Sequence, residues 1–272
     1  MGSLSRARVR GLIAGSVLFV LAGSAQAQLR RPLESEDSET FAWGRWALEL
    51  GFEHERFAKE DPSPHERTGL PVVGLRLGLG PHAELQVDYG LLLTDPGIED
   101  QGSIVGTGDG QVSAKLRLPW RPPTGTGLGF KFTTKLPNAG ERNRLGTDET
   151  DVLMWLLADQ DLGPARLIVN LGFGILGDVD TPQAQDDVRL VRLGLVWPQG
   201  RGEARLTMRR WALAGEWVGI SSADPTLERF ELRAGGRCKI GGAHADFGVG
   251  RGTGGVAPRW SARGGVTFLF GR

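Results

Sequence analysis

Apolar and polar residues alternate one by one through about a dozen segments of this chain, and only an extended strand sorts such a pattern onto two faces. In residues 45–53, Trp46, Leu48, Leu50 and Phe52 fall on one side, and Ala47, Glu49, Gly51 and Glu53 on the other. A helix would scatter those carboxylates around its circumference. The same sorting recurs over residues 73–80, 83–89, 111–118, 128–135, 166–174, 191–197, 211–217, 229–239, 245–249 and 260–270. Residues 151–158 are apolar on both faces, so their register stays open, as does the onset of the strand near 204–211. The count is twelve.

One face of each strand is greasy enough for lipid, while the other carries charge. The expected architecture is therefore all-β, a transmembrane antiparallel up-and-down β-barrel of about twelve strands. Connection lengths agree, because long stretches (57–68, 93–109, 137–150, 177–187) alternate with short ones (80–82, 159–164, 198–203, 241–242). Outer-membrane barrels alternate long external loops with short periplasmic turns in this way. Lipid cannot satisfy a free strand edge, so the first strand must pair with the last. Trp46, Trp120, Trp197 and Phe270 then fall near one interface, and Tyr89, Trp217 and Trp260 near the other.

An Arg or Lys facing the bilayer midplane costs about 2–4 kcal/mol, which sends the charged face to the lumen. The expected lumen lining is acidic on the first three strands (Glu49, Glu53, Glu84, Asp88), with Arg76 among them. It is basic at Lys115, Arg117, Lys131, Lys135, Arg233 and Arg237, and Asn170, Arg192, Glu216 and Arg263 complete the set. Such walls could set up a transverse field across a pore. Alternatively, the charges could pair across the interior and plug it.

The start of the chain is an export signal. Arg6, Arg8 and Arg10 precede the apolar run of residues 11–23, and Ala25-Gln26-Ala27 supplies a cleavage site. Residues 1–27 are expected to be removed, residues 28–40 to form a periplasmic N-terminal segment, and residues 41–272 to form the barrel. The 32 basic and 32 acidic residues cancel, which argues against a nucleic-acid partner. Cys238 is the only cysteine, so a disulfide within the chain and a cysteine-built metal site are both excluded. No cofactor is called for.

The stretch GFKFTTKLPNAGERNRLGTDETDV (residues 129–152) and the following LGPARLIVNLGFGILGD (residues 162–178) resemble a known family. The residues that carry the likeness are Thr134-Lys135-Leu136-Pro137, Gly146-Thr147-Asp148-Glu149-Thr150-Asp151 and Asn170-Leu171-Gly172. They resemble the outer-membrane transporters of the MetA-pathway of phenol degradation, and GLRLGLGPHAELQV (residues 74–87) extends the likeness. The resemblance implies an outer-membrane barrel and transport of hydrophobic or aromatic compounds. One departure is that Gly271-Arg272 follow Phe270, where barrels of this kind commonly end on an aromatic residue.

Catalytic signals are weak. Of the four histidines only His54 falls on a lipid face near the outer rim, with no outward serine expected beside it, and G-x-S-x-G is absent from the sequence. The acidic clusters Asp95, Glu99, Asp100 and Asp178, Asp180, Asp186, Asp187 match no EF-hand spacing and read as solvated faces. The expected function is passive or weakly selective passage of small solutes through the bacterial outer membrane, without enzymatic activity. Expected partners are outer-membrane lipid and lipopolysaccharide, a small-molecule solute, and the barrel-assembly machinery. A lipid-modifying enzyme and a non-conducting structural or adhesive barrel are the alternatives.

Overall fold

The computed structural model describes residues 32–58, 65–95, 102–120, 122, 124–139, 145, 149–177, 185–198, 211–224 and 227–271. The expected signal peptide, the segment 204–210 and the acidic residues Glu99, Asp100, Asp178 and Asp180 lie outside them.

Among the described residues, thirteen strands form one antiparallel sheet. They are β1 (Trp46–Arg56), β2 (Glu66–Gly78), β3 (Ala83–Asp95), β4 (Ile104–Thr107), β5 (Gly110–Arg117), β6 (Thr126–Leu136) and β7 (Asp151–Leu162). The series continues with β8 (Ala165–Gly177), β9 (Gln185–Trp197), β10 (Trp211–Ser222), β11 (Arg229–Ile240), β12 (Ala243–Gly255) and β13 (Trp260–Phe270). Twelve of them close into a ring, each paired with its chain neighbours and β1 paired with β13. Trp46 stands opposite Phe270 across that seam, and their rings stack 4.0 Å apart. The thirteenth strand, β4, was not expected; its four residues pair with Leu91–Thr94 of β3 only. Within the stretch 93–109, expected to be an open loop, it lengthens the wall.

β2 and β3 also reach further toward the long-loop end than alternation implied. A register shift between Gly69 and Val72, at Leu70-Pro71, breaks the period-two pattern there. Proline donates nothing to a ladder, so a bulge is where it can sit.

The outer surface is the apolar face of the alternation. Phe130, Phe132, Leu171, Leu193, Leu195, Leu213, Leu232 and Phe247 all point outward, and about half of each side chain is exposed. In water this belt would be one continuous apolar patch, whereas in a bilayer it is the lipid contact. Aromatic pairs mark the two rims. Trp197 meets Trp211 edge-on at 5.4 Å at the short-turn end, and Trp217 stacks on Phe230 at 6.0 Å toward the long-loop end. In barrels of this class the short-turn end faces the periplasm.

β7 settles the register that alternation left open. Trp155 and Leu157 are buried inward, while Met154 and Leu156 are exposed outward. The inward pair packs with Val188 and Leu190 of β9, and Leu153, Leu176, Ile220 and Leu227 lie against them. Both faces of β7 are apolar because one meets lipid and the other meets this patch inside the lumen.

Candidate functional site

Alternation carries the polar side chains of the wall into the lumen, where water or a partner must satisfy them. Glu49, Arg76, Glu84, Lys115, Lys131, Asn170, Glu216, Arg233 and Arg263 are all buried on the inner face. Arg117, Lys135 and Arg192 are less deeply covered. Arg237 stands in register with Ala212 and Asp246, both on inward positions. Glu53 is the most open of the group, with 45 % of its side chain exposed.

The lumen is crossed by the chain's own N-terminal segment. Residues 32–40, expected in the periplasm, instead run through the barrel as an extended strap. The physical reason is charge. Nine of the fifteen expected lumen residues are basic and five are acidic; the strap brings Glu34, Glu36, Asp37 and Glu39.

Each of these carboxylates meets a cation from the wall. Glu34 reaches Arg233 at 2.5 Å, Arg192 at 3.2 Å and Arg263 at 3.3 Å. Glu36 bridges Lys131 at 2.5 Å and Lys115 at 3.5 Å. Asp37 pairs with Arg166 at 3.1 Å, and Glu39 pairs with Arg117 at 2.6 Å. The expected field between an acidic and a basic wall is therefore largely cancelled, because the strap lies along the basic one.

The wall also satisfies the strap's backbone. The amides of Glu34 and Ser35 donate to the Glu216 carboxylate at 2.8 Å each. Asn170 accepts from the Glu36 amide at 2.9 Å and donates to the Glu36 carbonyl at 2.7 Å, as a neighbouring strand would. Asp159 accepts from the Ser38 amide at 2.7 Å, and Glu84 from the Phe41 amide at 2.9 Å. Leu33 is the apolar anchor, packed with Ile168, Val196, Ala212 and Ala214.

Glycines of the wall lie where the strap comes closest. A Cβ at Gly194 would strike the Ser35 hydroxyl, and one at Gly127 the Ser38 hydroxyl. Cβ atoms at Gly235 and Gly248 would press on the Pro32 ring, and one at Gly78 on the Phe41 and Ala42 carbonyls. The wall is shaped to a main chain in this place.

The remaining wall charges pair among themselves. Arg76 joins Glu49 at 3.2 Å and Asp88 at 2.5 Å. Lys135 joins Asp151 at 2.8 Å and Asp109 at 3.5 Å, and Arg233 is also held by Glu231 at 2.7 Å. On the long-loop side of the strap lies a cavity of about 190 Å³. Glu49, Glu53, Asp88, Asp109, Arg76 and Arg263 line it, and Pro32 and Leu33 form its floor.

Several residues that build this site escaped the sequence reading. Arg166 and Asp159 lie 2.5 Å apart beneath the strap, and Asp159 fell in the stretch 159–164 expected to be a short connection. Trp155 carries the Arg192 guanidinium over its ring at 4.1 Å. His54, the one catalytic candidate, shares a hydrogen bond of 2.8 Å with the Thr68 hydroxyl and packs on Trp260. Among the described residues no cluster of His, Cys, Asp and Glu is arranged to hold a metal ion.

Fold and site together define a transmembrane β-barrel whose lumen is occupied by a segment of its own chain. The solved structures similar to it are outer-membrane barrels. An outer membrane channel from Pseudomonas putida F1 superposes with a TM-score of 0.65 at 15 % identity, covering 86 % of this chain and 98 % of that one. The NanC porin gives a TM-score of 0.53 at 10 % identity, over 82 % and 98 % of the two chains. The translocator domain of the autotransporter NalP from Neisseria meningitidis gives 0.52 at 13 %, over 83 % and 88 %. At such identities the likeness establishes the fold. No protein-family model matches the sequence, and no curated protein matches it.

Proposed function

We propose that this chain is an outer-membrane channel for passive or weakly selective passage of small solutes, held narrow by its N-terminal strap. The observation that carries the reading is the make-up of the lumen. The middle of the closed ring is lined with ionisable side chains and is filled by nine residues of a tethered segment, not by wall side chains meeting across it. A barrel meant only as a rigid anchor can fill its interior with side chains, as small barrels do. Here the filling is a separate strip of chain that can leave without breaking a strand ladder. Membership of the phenol-degradation transporter family is part of the same proposal. So is its implication of hydrophobic or aromatic solutes, which would find the patch around Trp155 and Leu157 on the inner wall. The reading is non-enzymatic, and it places the chain in the outer membrane among lipid and lipopolysaccharide after insertion by the assembly machinery.

Planar-bilayer recording of the mature protein, beside a variant lacking residues 32–40, tests it. Small current steps in the first and larger ones in the second are expected. No steps in either, with no liposome swelling by small solutes, would end the channel reading.

A further inference from the structure

We propose that the strap is a tethered stand-in for the channel's solute, and that the lumen recognises extended molecules bearing several carboxylates with hydroxyl donors between them, as in a short uronate oligomer. The inference rests on the channel reading alone and names a solute class for the strap's own path, in place of the hydrophobic or aromatic solutes that the family resemblance implies.

The strap's chemistry is that of such a ligand. It is a thin extended chain carrying four carboxylates within six residues, at Glu34, Glu36, Asp37 and Glu39. Seven cations meet them: Lys115, Arg117, Lys131, Arg166, Arg192, Arg233 and Arg263. They come from six strands (β5, β6, β8, β9, β11 and β13), so the site is a property of the assembled ring and not of one hairpin.

The wall holds some of these cations in position independently of the strap. Asp159 fixes Arg166 at 2.5 Å, and Glu231 fixes Arg233 at 2.7 Å. Groups already oriented and desolvated favour binding of the matching charge. Glu216, Asn170 and Asp159 accept hydrogen bonds from the strap's amides, so the ligand should offer donors between its acids. Gly127, Gly194, Gly235 and Gly248 leave a slot the width of a polymer backbone. The cations and acceptors that satisfy the buried strap would equally satisfy a free chain of the same chemistry.

With the strap gone, the same cations face water and one another, and a multivalent anion is the partner that restores the balance. A tethered strap competes at an effective concentration in the millimolar range, so a free oligoanion binds weakly until the strap is disarmed.

The test is calorimetric titration of the full mature chain in detergent with trigalacturonate, with neutral maltotriose as control. One variant neutralises the strap (Glu34→Gln, Glu36→Gln, Asp37→Asn and Glu39→Gln together). A second, Leu33→Ser, removes the strap's apolar anchor among Ile168, Val196, Ala212 and Ala214 and leaves every charge in place. Trigalacturonate should bind the first variant at least tenfold tighter than wild type and the second at least threefold tighter. Both gains should shrink as salt is raised, and maltotriose should bind neither. Absence of trigalacturonate binding to both variants overturns the proposal, as does equal binding of maltotriose. Binding without any conductance would sink the channel reading and leave the oligoanion site standing; conductance without binding would do the reverse.

Discussion

Glu36 is the carboxylate whose loss should release the strap most directly. Its side chain is 4 % exposed and bridges Lys131 at 2.5 Å and Lys115 at 3.5 Å, whose side chains are 7 % and 1 % exposed. The Gln86 amide adds a hydrogen bond at 3.0 Å. Glu36→Gln keeps the shape and removes the charge, leaving two buried ammonium groups without that counter-ion. Removing one partner of a buried pair costs about 3–5 kcal/mol. The strap-in state bears this cost, because once the strap withdraws water can reach both lysines. The barrel does not bear it, since Glu36 belongs to no strand of the ring. At about 1.4 kcal/mol per tenfold, the strap-out population should rise by about two to three and a half orders of magnitude.

Thiol labelling reads that population without reference to transport. Ser38 is fully buried and cysteine is its near isostere, so Ser38→Cys should be tolerated. With Cys238→Ser removing the native thiol, a membrane-impermeant thiol reagent should modify position 38 slowly in the parent. In Glu36→Gln the rate should be about a hundredfold faster or more. Glu66→Gln provides the control: its pair with Arg56 spans 3.5 Å between side chains 42 % and 55 % exposed, and exposed pairs contribute about 1 kcal/mol or less. Labelling rates within twofold of each other in Glu36→Gln and the parent would refute the claim that charge holds the strap.

Three further outcomes follow from the wall. Leu157→Ala should destabilise the barrel by about 2–5 kcal/mol in denaturant unfolding, as buried truncations do, and Leu156→Ala on the opposite face should cost much less; equal losses would mean the register of β7 is wrong. Leu193→Arg places a cation on the lipid face near the middle of β9 and should cost about 2–4 kcal/mol in lipid, read from refolding into vesicles. Trp46→Ala breaks the stacked pair that closes β1 on β13 and should lose about 0.5–1.5 kcal/mol beyond the buried area, seen as a lower temperature for loss of the compact band on unheated gels.

The face of each wall residue could be read from sequence because it is a local property. Once a strand has period two, the side of Glu49, Lys115 or Arg233 follows from its neighbours alone. β7 resisted because the rule assumes that only lipid rewards an apolar side chain. Trp155 and Leu157 are apolar and inward because Val188 and Leu190 of β9 pack against them from the far side of β8, a contact between residues more than thirty positions apart. β4 was missed for a different reason: four residues are too few to show a period, and pairing with Leu91–Thr94 is what makes them a strand.

The strap was the larger omission, and its signal was present in another form. Pro32–Thr40 has no hydrophobic period, so a pattern search passes over it. The excess of basic over acidic groups on the expected lumen face is a non-local quantity, and it announces a missing anion. Seven cations converging on one lumen cannot be left facing each other at low dielectric. The counter-charge had to come from solvent ions, a solute or the chain itself, and the nearest run of carboxylates without a strand to belong to was Glu34 to Glu39. A transmembrane barrel can afford so basic a wall only if something anionic spends most of its time against it. The four carboxylates of the strap meet that condition.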